Sequence, residues 1–192
     1  MRLFIAVPLP DPVKEAIYGD AEVLKREGIR ASYPAWENYH ITLKFLGEVN
    51  ESKVSAILDG MRASVSGMMP FDASIEGRGV FPGFRNPKVI WCGVEEGAES
   101  LVELFERVER AMAYLGFERE KKPFHPHVTV GRLKRLSPEQ KRFIIKFCSH
   151  RLAYGRIRIE RIVLYKSTLR PEGAVYTPLG SAFLGGRDEG GA

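Results

Sequence analysis

His40-Ile-Thr-Leu-Lys-Phe-Leu-Gly47 and Pro126-His-Val-Thr-Val-Gly-Arg132 carry the same His-x-Thr pattern 87 residues apart, and that offset decides how the whole chain is read. Slid by the same distance, Leu3-Phe-Ile-Ala-Val7 falls on Ile90-Trp-Cys-Gly-Val94; both are short apolar runs of the kind that form buried strands. Residues 12–27 fall on 99–114. Each stretch has helical periodicity, through Val13, Ala16, Ile17, Val23 and Leu24 in the first and Leu101, Leu104, Phe105, Val108 and Met112 in the second. A second helix follows each His-x-Thr strand. Ser52 opens one carrying Val54, Ile57, Leu58 and Met61, and Ser137-Pro-Glu-Gln140 is a capping-box start with proline at the first helical position. Strands over Phe71 to Gly79 and Arg156 to Tyr165 close the two halves, with extensions at Val80 to Pro82 and Val175 to Pro178.

The expected architecture is therefore α+β and bilobal: duplicated β-α-β-α-β units with antiparallel sheets facing a central groove. One bilobal domain spans 1–184, with repeat halves at about 1–86 and 87–184, and the Gly-rich stretch 185–192 reads as a flexible tail. No Gly-rich first turn suggests a dinucleotide-binding fold.

Composition agrees with a globular protein. Of 192 residues, 44% are hydrophobic and 28% charged, which excludes wholesale disorder and collagen-like repeats. No apolar run approaches the roughly 18 residues of a membrane helix, so a cytoplasmic protein with no membrane partner is expected. Cys92 and Cys148 lie far apart with no metal-type spacing and read as buried free thiols. The net charge is +5, but residues 119–170 alone hold fifteen Lys and Arg against three Asp and Glu. Such a local excess favours a polyanion such as RNA over the plainer reading, a solvated basic face.

The four histidines include two that occupy equivalent places in the repeat, His40 and His127. Residues two apart on a strand share a face, so His40, Thr42 and Lys44 point one way and Ile41, Leu43 and Phe45 the other. His127 and Thr129 repeat the arrangement. Two imidazoles across a small groove suit general base and general acid catalysis, because an ordinary imidazole pKa of about 6.5 leaves both forms accessible near neutrality. In-line displacement at phosphorus needs a proton removed from the nucleophile and one delivered to the leaving oxygen. Thr42 and Thr129 add hydroxyl donors for the non-bridging oxygens, and no metal or other cofactor is required.

The two motifs resemble the paired His-x-Thr-x motifs of the 2H phosphoesterases, specifically the RNA 2′,3′-cyclic phosphodiesterase or 2′-5′ RNA ligase branch. Met1 to Val7, Trp36 to Gly47 and Tyr165-Lys-Ser-Thr-Leu169 are similar to that family as well, so the likeness covers nearly the whole chain. It implies a bilobal α+β hydrolase acting on RNA 2′,3′-cyclic phosphate ends or cyclic nucleotides and yielding a 2′-phosphate. In some members it also implies ATP-independent formation or cleavage of 2′-5′ linkages. By position it places the proton donor on His40 and the acceptor on His127. The protein is taken as a monomer.

Other residues carry less. Arg132 suits phosphate through its fork of N–H groups, yet alternation sets it opposite His127, so it reaches the groove only if the strand bends near Gly131. Lys44 and His125 have the right parity for substrate contact; a solvated lysine and a structural histidine are the alternatives. His150 reads as a capping residue after its helix. Trp36, Tyr39, Phe81 and Phe84 are candidates for stacking on bases, each also readable as core, and Ser167 and Thr168 approach the groove through the offset. Two other functions stay open: a non-catalytic RNA-binding module using the same groove, and a metal site built from His40, His125 and His127.

Overall fold

The computed structural model describes residues 1–186. In chain order the elements are β1 (Arg2–Pro8), α1 (Asp11–Arg26), β2 (Ala31–Ser32), β3 (His40–Glu48), α2 (Val54–Val65), β4 (Phe71–Phe81), β5 (Val89–Val94) and α3 (Ala98–Tyr114), followed by β6 (His127–Leu133), α4 (Pro138–Ser149), β7 (Ala153–Ile159), β8 (Arg161–Arg170) and β9 (Gly173–Phe183). The expected repeat is present. Ser137 caps α4 as anticipated, its hydroxyl accepting from Gln140 N while the Gln140 side chain accepts from Ser137 N. Of the stretch 185–192 expected as a flexible tail, Gly185 and Gly186 belong to a turn, with Gly185 N donating to Met68 O, and 187–192 lie outside the described residues.

Among the described residues the strands form one antiparallel sheet in the order β7-β4-β5-β6-β3-β1-β8-β9, with β2 alongside β6. Its two halves meet at a single pair, Ile41 with Val128, where β3 and β6 diverge. One lobe is β3-β1-β8-β9, backed by α2 and α3; the other is β6-β5-β4-β7, backed by α1 and α4.

These lobes are not the contiguous halves of the chain. The closing strands change places, so that β4 of the first half pairs with β5 and β7, while β8 of the second half pairs with β1. The first helices cross over as well, α1 packing on β6 and β7 and α3 on β3. The stretch Arg156 to Tyr165, expected as one strand, divides at Glu160: Ile157 and Ile159 are buried in one lobe, Ile162 and Leu164 in the other. The exchange merges both lobes into a continuous core running from Leu3 to Leu184. Each lobe also buries an ion pair against an exchanged helix, Arg78 with Asp20 of α1 and Lys44 with Glu109 of α3.

A matching irregularity in β3 and β6 shapes the groove. In β3 the register against β1 passes from Thr42 to Lys44 over one extra residue, Leu43; in β6 the register against β5 passes from Thr129 to Gly131 over Val130. Leu43 and Val130 are equivalent under the 87-residue offset, so the two strands carry the same β-bulge. A bulge adds one residue to one strand and inverts the facing of the residues beyond it. Lys44 and Gly131 therefore turn inward, and Phe45 and Arg132 turn out.

Candidate active site

A cleft of about 660 Å³ lies where the lobes diverge, lined by His40, Thr42 and Phe45 from β3 and by His127, Thr129 and Arg132 from β6. Arg2 and Phe4 of β1, residues 32–35 around β2, and the β8–β9 hairpin from Ser167 to Tyr176 complete its walls.

Both imidazoles are fixed by the same bond. Nδ1 of His40 donates to the carbonyl of Asn38 at 2.6 Å, and Nδ1 of His127 donates to the carbonyl of His125, also at 2.6 Å. Asn38 and His125 are themselves an 87-residue pair. A carbonyl can only accept, so in the neutral rings the proton sits on Nδ1 and Nε2 keeps its lone pair. At His40 that lone pair takes the Thr42 hydroxyl, 2.9 Å away.

Aromatic rings hold each imidazole from the side. Phe4 and Tyr176 lie 5.0 and 5.5 Å from the His40 ring, and Phe81 lies edge-on at 4.9 Å from that of His127. Trp91, the repeat counterpart of Phe4, lies 6.3 Å from His127 and 4.7 Å from His125. Gly79 makes room for that indole, since a Cβ there would meet the ring at 2.2 Å.

Enclosure disfavours the charged imidazole. Burial, helped by the nearby His127, pushes the His40 pKa down to about 4 against the pull of the Asn38 carbonyl. His127 is lowered too, by burial first and then by the positive charges of His125 and Arg132, while the His125 carbonyl opposes the shift. An empty cleft at neutral pH thus holds two neutral rings. A negative charge placed nearby favours the imidazolium form and so opposes both shifts.

The structure brings together His40, Thr42, His127, Thr129 and Arg132. Arg132 reaches the cleft because the strand bulges at Val130. Lys44 does not reach it: the same bulge in β3 turns it into the core, where Nζ lies 2.7 Å from Glu109 Oε1 and donates to Glu118 O at 2.6 Å. Strand alternation from His40 therefore misassigned both Lys44 and Phe45. Phe45, expected to face the core, is 65% exposed in the cleft wall. The repeat itself held the clue, because Phe45 is the counterpart of Arg132.

His125 stands just before β6, its exposed ring against Trp91 and Phe81 and outside the cleft lining; its carbonyl is what serves His127. Of the expected stacking residues, Tyr39 is core, Trp36 packs against the core under Lys14, Phe81 braces His127, and Phe84 is exposed on the β4–β5 loop. Ser167 lines the cleft and Thr168 does not. His150 ends α4, as read from sequence. Cys92 is buried and Cys148 half-buried, both as free thiols. Among the described residues no group of three His, Cys, Asp or Glu is arranged to hold a metal ion, so His40, His125 and His127 do not converge as ligands. No helix among them is long and apolar enough to cross a membrane.

The sequence family described as the 2′-5′ RNA ligase superfamily matches residues 10–170. The protein named RNA 2′,3′-cyclic phosphodiesterase from Archaeoglobus fulgidus is 39% identical over 180 residues, which are 93% of this chain and 98% of that one. The crystal structure of TT0787 from Thermus thermophilus superposes with a TM-score of 0.79 at 30% identity, covering 96% of this chain and 98% of the other. That of E. coli LigT complexed with 3′-AMP gives 0.73 at 26% identity, over 96% and 98%.

Proposed function

We propose, from the premise that the chain belongs to the 2′-5′ RNA ligase superfamily, that it opens RNA or nucleoside 2′,3′-cyclic phosphates to 2′-phosphates by metal-independent acid–base catalysis. The observation that carries this reading is the matched pair of imidazoles, each held through Nδ1 and each presenting Nε2 to one cleft.

The cyclic phosphate sits between β3 and β6. Thr42, Thr129 and the Arg132 guanidinium donate to its non-bridging oxygens, where charge is held through the transition state. Nε2 of His127 takes a proton from water as its oxygen bonds to phosphorus. The P–O3′ bond breaks on the opposite side, and the departing 3′-oxygen takes a proton from Nε2 of His40. The 2′-phosphate product leaves carrying the oxygen of that water, with His127 protonated and His40 neutral, and exchange with solvent resets the two rings. Binding the anion is what charges His40, since its empty-site pKa of about 4 leaves it neutral beforehand. Phe45 and Tyr176 offer rings to the terminal base, with the buried Phe4 packed behind them. Replacing the attacking water by a 5′-hydroxyl makes a 2′-5′ linkage with the same groups and without ATP.

Incubation with a nucleoside 2′,3′-cyclic phosphate and with RNA carrying that end, followed by identification of every phosphate position and linkage formed, tests the reading. The expected product is the 2′-phosphate, with each of His40→Ala and His127→Ala slower by about 10²–10⁴-fold. Binding without turnover by the unaltered protein would make it an RNA-binding module instead.

A further inference from the structure

A 2′,3′-cyclic phosphate is the 3′ end of an RNA, so the rest of the strand has to leave the cleft somewhere. Three neighbouring chain segments mark a route. Ser32 of β2 pairs with Arg132, and on its other side Arg132 pairs with Val89 of β5. One step outward, Lys134 N donates to Arg30 O and Leu133 N to Lys88 O. Arg30 and Lys134 are thus neighbours on adjacent chains, and Lys88 stands beside Leu133 on the other side, one residue from Lys134, so the three residues lie on chains that span about 10 Å at the usual strand spacing. They continue from the one cationic residue contributed to the cleft by β6.

The β4–β5 loop adds Arg85 to this rim, with its carbonyl accepting from Lys141 Nζ at 3.4 Å. Next to it is Phe84, 43% exposed. Arg30, Arg85, Lys88 and Lys134 are all exposed, and none of them pairs with a carboxylate among the described residues. Five of the fifteen cations in the basic stretch 119–170 behave otherwise. Arg119, Lys121, Arg151, Arg156 and Arg158 pair with Glu106, Glu118, Glu76 and Glu95, Glu96, and Asp72. The charge excess seen in sequence is therefore compensated in part. Its uncompensated part near the cleft is completed by Arg30, Arg85 and Lys88, which lie outside that stretch.

We propose that Arg30, Lys88 and Lys134, with Arg85 and the Phe84 ring, form a subsite for the two or three nucleotides upstream of the reacting 3′ end. Cations without partners neutralise phosphates without first breaking an ion pair, with the released counterions favouring binding, and an exposed ring beside them accepts an unpaired base. The subsite rests on the cyclic phosphodiesterase reading for its direction along the RNA. Its own content is a preference for oligonucleotides over mononucleotides.

The test compares a nucleoside 2′,3′-cyclic phosphate with a tetranucleotide ending in the same group, using the unaltered protein and the double variant Lys88→Glu, Lys134→Glu. On the tetranucleotide the variant should raise KM by about tenfold or more and flatten the log–log salt dependence by about 1.4, the worth of two single-strand phosphates. Mononucleotide turnover should stay within about twofold, which also shows that the variant folds. Equal effects on both substrates, or none on either, would overturn the subsite. If the unaltered protein turns over neither substrate, the function reading fails separately. Anisotropy of a labelled tetranucleotide bearing a terminal 2′-phosphate then reads the rim alone, with unchanged binding by the double variant counting against it.

Discussion

The side chain of Asn38 donates to the carbonyl of Ala174 at 2.7 Å, tying the turn before β3 to the β8–β9 hairpin that walls the cleft. The carbonyl of the same Asn38 accepts from His40 Nδ1. One residue therefore couples the position of the hairpin to the orientation of the ring expected to protonate the leaving oxygen.

Asn38→Ala keeps the carbonyl and removes the tether. Losing one partly buried hydrogen bond should cost about 1 kcal/mol of stability. The larger effect should fall on kcat, at about tenfold, because a misaligned acid weakens the transition state more than the bound substrate. Steady-state kinetics separates the two, and NMR of the His40 ring supplies a readout that general destabilisation leaves alone. An unchanged kcat with a shifted Tm would make the tether purely structural.

Lys44 and Glu109 give a different outcome. They are 7% and 2% exposed, and Glu109 Oε2 also accepts from Glu120 N, so the pair joins β3, α3 and the loop after it. Removing one member strands a buried charge, which costs about 3–5 kcal/mol; replacing both by apolar residues of similar volume costs far less. Urea denaturation should therefore find Glu109→Leu much less stable than the double variant Lys44→Met, Glu109→Leu. The folded double variant should keep its KM for a cyclic nucleotide. A raised KM with intact stability would return Lys44 to the substrate side.

Lys44 also shows where reading the sequence stopped. The repeat, its helices and the four groove residues His40, Thr42, His127 and Thr129 are visible because they rest on spacing alone. The bulge is not. Leu43 and Val130 are ordinary buried apolar residues, so Ile41, Leu43 and Phe45 look like uninterrupted alternation, and nothing local announces that the strand has gained a residue. The exchange of β4 and β8 is hidden for another reason: an offset says which segments are alike and is silent on which pair. Glu160 is the sole residue between β7 and β8, and a single charged residue among alternating ones is no obvious break.

The depressed pKa of His40 has consequences on both sides of folding. In the unfolded chain the ring titrates near 6.5, and in the empty folded site at about 4. Between those values the unfolded chain binds a proton that the folded one refuses, so stability present above pH 6.5 is lost as pH falls towards 4. His40→Ala should remove that part of the decline in pH-dependent denaturation. An anion in the cleft favours the imidazolium and moves the midpoint upward. Inorganic phosphate or a non-hydrolysable analogue should raise the NMR titration of His40 by a unit or more, with proton uptake seen calorimetrically at pH 6. A midpoint unmoved by either ligand would mean that His40 does not face the phosphate.

The two histidines are nearly interchangeable by symmetry, and a substrate with sulfur in place of the bridging 3′-oxygen separates their roles. A thiol pKa of about 8.5 lies far below that of an alcohol, so a departing thiolate needs little protonation. Loss of the acid should then matter much less, whereas loss of the base leaves water unactivated on either substrate. His40→Ala should recover most of its lost rate on the sulfur substrate, and His127→Ala should stay slow. The hydrogen bonds permit either direction, because each Nδ1 is held the same way. What differs is the neighbourhood: the His127 pKa is lowered by burial first, with Arg132 of the same strand adding to the shift, while Thr42 meets Nε2 of His40. Recovery of His127→Ala alone would reverse the two roles, and recovery of neither would show that protonation of the leaving oxygen does not limit the reaction.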